Sequence, residues 1–88
     1  MNISQRLKDV AISDSGFLFD PVTGLTFSVN PTGRFILERL RDGLAADGVV
    51  DALKDAFDVN DRDDLTRDLK EFVRLLREQG ILSRDAEV

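Results

Sequence analysis

Hydrophobic and polar positions along the 88-residue chain follow two periods, with a switch near residue 29. Before the switch the alternation is two-residue, the signature of strands. Val10 and Ile12 flank Ala11 as a first short strand, and Asp14-Ser15-Gly16 is a turn cluster. Phe17-Leu18-Phe19 and Leu25-Thr26-Phe27-Ser28-Val29 then bracket Asp20-Pro21-Val22-Thr23-Gly24. In that bracket Asp20 can accept hydrogen bonds from the turn backbone, Pro21 presets φ, and Gly24 can adopt the left-handed conformation. A type I turn closed by a glycine bulge is the hairpin connection this predicts. Leu25, Phe27 and Val29 fall on one face of the last strand and Thr26 and Ser28 on the other, so the strand is half buried.

After the switch the apolar residues recur at helical spacing. Asn30 is an N-cap and Pro31 occupies the first helical position, where its missing N–H costs nothing. Ile36, Leu37 and Leu40 form that helix's apolar stripe, Gly33 lies beside it for close packing, and Gly43 stops it. A second helix runs from about Ala46 to Phe57, with Val49, Val50, Leu53, Ala56 and Phe57 on one face. A third is capped by Asn60 or Asp61 and continues to Gln79, about 28 Å. Its core stripe is Leu65, Leu69, Phe72, Val73 and Leu76, and Gly80-Ile81-Leu82 turns the chain back onto its last turn. The predicted order is three short antiparallel strands followed by three helices in one α+β domain over residues 1–83. Residues 84–88 form a frayed polar tail.

Composition narrows what such a domain can do. Without cysteine or histidine there is no disulfide, thiolate nucleophile, zinc site or imidazole base, and no cofactor is expected. Carboxylates, lysines and hydroxyls remain for catalysis, but a domain of this size has little room for a pocket, and an enzyme is not expected. The aspartates of 58–64 match a calcium loop in composition only, because the required order and closing glutamate are missing. With no signal segment or membrane-length apolar run, the chain reads as cytoplasmic.

The net charge of −5 falls within 45–66, where seven aspartates face only Lys54 and Arg62. The last two helices form a helix-turn-helix-like pair through Asp58-Val59-Asn60, and Arg67, Lys70, Arg74 and Arg77 form a basic row on the second of them. The acidic belt on the preceding helix and turn opposes nucleic acid and anionic membranes. Glutamates 71 and 78 also interleave the row, in pairs such as Arg67–Glu71 and Arg74–Glu78. The row therefore reads as a salt-bridged surface, with a DNA-binding regulator as the lesser alternative. An adaptor that contacts a kinase-like partner through the 45–66 surface is a second alternative. The strand Leu25–Val29 offers a different surface, because it is the last strand before the helices and one of its edges is free. No lysine or proline blunts that edge. Beside the third helix it would make a groove for an extended peptide, with Leu75 off the core stripe. A free edge also leaves monomer and homodimer open.

Several segments carry a family resemblance in their order and spacing. They are Phe17-Leu18-Phe19-Asp20, Gly24 through Gly33, Ile36-Leu37, Asp42-Gly43, the Val49–Leu53 helix, Phe57-Asp58-Val59 and Asp68…Phe72…Leu75…Gly80-Ile81-Leu82. Over about residues 5–82 the chain resembles the PqqD-like family, and within it the subgroup labelled the HPr-rel-A system, found beside a kinase resembling the HPr kinase. The resemblance implies a small winged-helix-like domain acting as a peptide chaperone, the RiPP precursor recognition element. Such a domain binds a leader peptide as an added strand and presents the precursor to a modifying enzyme, radical SAM or kinase-like. Carried over, Leu25, Thr26, Phe27, Ser28 and Val29 form the receiving strand. Leu65, Asp68, Leu69, Phe72 and Leu75 form the helix wall. Gly33 stands where the family usually has alanine.

Overall fold

The computed structural model describes residues 3–57 and 61–82. The chain begins with a helix that the period-two reading does not anticipate, α1 (Ile3–Lys8). There follow β1 (Ala11–Ile12), β2 (Phe17–Asp20) and β3 (Leu25–Ser28), then α2 (Pro31–Arg41), α3 (Ala46–Phe57) and α4 (Arg62–Glu78). The architecture is mixed α+β, with the three strands and three following helices in the expected order. The Asp58-Val59-Asn60 junction and the tail from Ser83 lie outside the described residues.

Six residues are too few to hold a helix alone. Packing and polar ties hold α1 instead: Ile3 and Leu7 enter the core, and Ser4 Oγ donates to the Arg41 carbonyl at 2.6 Å. Arg6 Nη2 reaches Asp20 Oδ2 at 2.6 Å.

The strands form an antiparallel sheet in the order β1-β2-β3, so β3 is an edge. Leu18 pairs with Phe27 and Asp20 with Leu25 on the inner face, while Phe17 pairs with Ser28 and Phe19 with Thr26 on the outer one. The hairpin turn is built as read. Asp20 accepts from Val22 N–H at 3.1 Å and Thr23 Oγ1 at 3.0 Å, and Gly24 takes φ +74°. Gly16 has a separate duty. At φ +91° it lets β2 approach the end of β3 so closely that a Cβ there would lie 2.5 Å from the Val29 carbonyl oxygen.

The helix ends also match the reading. Asn30 Oδ1 accepts from Gly33 N–H at 2.7 Å, and Asp61 Oδ1 accepts from Asp64 N–H at 3.1 Å. Beyond Gly80, at φ +82°, the Ile81 and Leu82 N–H groups bond the Leu76 carbonyl and both side chains are buried. The core joins Leu7, Leu18, Leu37, Val49, Val50, Leu53, Leu69 and Val73 with the residues around them. On α3 the predicted apolar face ends one turn early. Ala56 and Phe57 are exposed, and Phe57 instead sets its ring edge-on against Phe35, 5.4 Å between centroids.

Asp20 is the one fully buried charged residue among those described. The Arg6 guanidinium holds its carboxyl below the ordinary value of 3.8, against the opposing effect of burial, with the Thr23 and Val22 bonds adding to the lowering. Replacing Arg6 by alanine strands that charge and is expected to cost about 3–5 kcal/mol, measured by urea denaturation. The pH dependence has a definite sign. The unfolded chain binds this proton more readily, so the stabilisation is whole above the ordinary carboxylate value and is lost as pH falls through the lowered folded value. Between about pH 6 and about pH 2 the urea midpoint should therefore fall less in Asp20→Asn than in the native chain.

Candidate functional site

Two elements far apart in sequence, β3 and α4, create an apolar concavity. The ladder determines which backbone groups face it. Val29 N–H donates to the Gly16 carbonyl at 2.8 Å, and Ser13 N–H to that of Phe17 at 2.9 Å. In an antiparallel pair bonded and non-bonded positions alternate, so Phe27 and Val29 face β2. Thr26 and Ser28 therefore point their N–H and C=O groups out from the free edge.

Beside that edge lies a groove of about 360 Å³. Phe27, Ser28, Val29 and Asn30 line one side, Phe72, Leu75, Leu76 and Gln79 of α4 the other, with Leu18 and Ile81 among its lining residues. None of these side chains carries a formal charge. The groove can hold apolar side chains of an extended segment while its backbone bonds the edge. Gly33 brings the walls together, because a Cβ there would sit 3.1 Å from Cε1 of Phe72 and 3.2 Å from Cβ of Val29. Alanine at this position would press on Phe72.

The expected site residues divide into three groups. Phe27, Ser28, Val29, Phe72 and Leu75 meet in the groove. Leu25 and Thr26 lie further along the strand towards the hairpin turn, both exposed, and neither lines it. Leu65 and Leu69 point into the core, while Asp68 is exposed on α4 one turn before Phe72. Sequence reasoning did not assign Leu18, Asn30, Leu76, Gln79 or Ile81 to the site. The i, i+4, i+7 spacing from Phe72 through Leu76 to Gln79 was the available signal for two of them.

The basic row of α4 lies away from this groove and is partly neutralised. Arg74 is paired with both Glu71 and Glu78, and Arg67 with Asp64 at 3.0 Å rather than with Glu71. In the acidic belt, Arg62 bridges Asp47 and Asp51. Among the described residues no carboxylate cluster could hold a metal ion, and no helix is long and apolar enough to cross a membrane.

The family model described as coenzyme PQQ synthesis protein D (PqqD) matches residues 16–82. TbiB1 in complex with the TbiA(beta) leader peptide is 30% identical, with a TM-score of 0.76 over 89% of this chain and 91% of that one. Lasso peptide synthetase B1 complexed with the leader peptide is 33% identical, with a TM-score of 0.69 over 81% and 84%. No curated protein matches the chain.

The division between wall and core is measurable. Leu69 is 1% exposed and Leu75 43%. Leu69→Ala should cost about 2–5 kcal/mol by urea denaturation, and Leu75→Ala less than about 1 kcal/mol. Equal losses would show that Leu75 belongs to the core.

Proposed function

The chain belongs to the PqqD family, and from that premise we propose that it is a non-catalytic chaperone that captures the leader of a precursor peptide by strand addition. The observation that carries the reading is the edge of β3, where Thr26 and Ser28 have no backbone partner among the described residues, beside an apolar groove walled by α4. An added strand would bond those backbone groups and place every second side chain in the groove. The two leader-peptide complexes among its structural neighbours support the same occupant. Phe27, Ser28, Val29, Phe72 and Leu75 would make the closest contacts, with Leu25, Thr26 and Asp68 at the ends of the bound segment. Leu65 and Leu69 would act by holding α4 in place. The captured precursor would pass to a modifying enzyme, radical SAM or kinase-like. No observation favours the acidic adaptor or the DNA-binding regulator.

Two or three buried anchors contribute about 1.5–3 kcal/mol each. After ordering costs this leads to an affinity near micromolar, about −8 kcal/mol. The test uses peptides selected from a displayed random library on the immobilised chain. Proline at position 26 removes an edge N–H without touching the bonds to β2, and edge strands tolerate proline. Thr26→Pro should therefore weaken binding at least about ten-fold in fluorescence anisotropy, with the fold retained by circular dichroism. Unchanged affinity would remove strand addition as the mode of capture.

A further inference from the structure

On α4 the charges that follow the groove wall round the helix are of a single sign. Each residue turns the helix by about 100°. Going round α4 from the core stripe to the groove, the side chains met are Phe72, Gln79, Asp68, Leu75, Asp64 and Glu71. All the charges on this flank are acidic, and the basic row is reached only beyond the solvent-facing apex. Asp64 is taken up by Arg67, and Glu71 and Glu78 by Arg74. Of the carboxylates on this side of α4, Asp68 is exposed and has no ion pair among the described residues. It stands one helical turn from Phe72, and the strand opposite offers only neutral side chains from Leu25 to Asn30.

We infer that this groove selects a cationic peptide: a lysine or arginine two residues from the apolar side chain resting on Phe72, read by Asp68. The inference rests on the peptide-binding reading and specifies its substrate. The spacing follows from geometry. Four residues of helix advance about 6 Å, and two residues of extended strand advance about 6.6 Å and return to the same face. An anchor on Phe72 therefore brings its i±2 neighbour level with Asp68. The chain's net charge of −5, concentrated just before and at the start of α4, attracts the same cationic segment and repels an acidic one.

The test selects binders from one displayed random library on the native chain and on Asp68→Lys in parallel, followed by affinity measurement of purified peptides. Asp68 is exposed, so the variant should fold, and circular dichroism checks that it does. Native-chain binders should carry Lys or Arg two residues from an apolar anchor, and Asp68→Lys binders Asp or Glu there, with the anchors kept. Exchanging that Lys for Glu should weaken binding to the native chain about three- to ten-fold and strengthen binding to the variant, with both effects shrinking in about 0.5 M salt. Pools with the same charge at that position, or affinities indifferent to the exchange, would overturn the inference and leave strand capture standing. Absence of binders in both pools would instead overturn the peptide-binding reading itself.

Discussion

The Asp20 carboxylate is the point on which the sheet and the first helix both depend. It lies fully buried at the end of β2, where a lone charge would be untenable. It is satisfied from three directions: Arg6 of α1, the Val22 N–H and the Thr23 hydroxyl. One group thus ties the N-terminal helix to the sheet and shapes the turn that sends β3 back beside β2. Strand register follows from that turn, and register determines which face of β3 each residue presents. A slip by one residue would turn Phe27 and Val29 out of the groove. Asp20 does not line the groove, yet the edge of β3 stands where it does because of it.

On α4 a single helix serves both core and groove. Leu65, Leu69, Val73 and Leu76 enter the core, while Phe72 and Leu75, rotated towards β3, face the groove. Leu76 contributes to both. The groove is held from below by the same packing that stabilises the domain, so its shape is set by the fold itself. Gly33 sets its width by letting Phe72 lie close to the start of α2.

Much of this was legible because the signals are local. Asn30-Pro31 marks the start of α2, Asp61 caps α4, and the Asp20–Gly24 turn carries its own hydrogen bonds. The free edge could also be anticipated, since β3 is followed by helices and lacks the residues that blunt edges. What could not be read depends on distant partners. Ile3 and Leu7 are a single i, i+4 pair, too little for a helical period, and α1 exists because α2 and Asp20 hold it. Leu65 and Leu69 carry the right residue type for a wall, but their rotation on α4 points them inward. Leu18 and Ile81 reach the groove from elements whose proximity only the folded chain reveals. Phe57 left the predicted stripe of α3 because Phe35 gives its ring a partner at the surface.

On the proposed mode of capture, the free edge of β3 becomes bonded when a peptide binds. Residue-resolved hydrogen–deuterium exchange of the backbone amides, with and without a selected peptide, measures this directly. Without peptide, Thr26 and Ser28 should exchange rapidly while Phe27 and Val29 are protected, and with peptide Thr26 and Ser28 should become protected as well. Rapid exchange at Thr26 and Ser28 in the saturated complex would contradict the account.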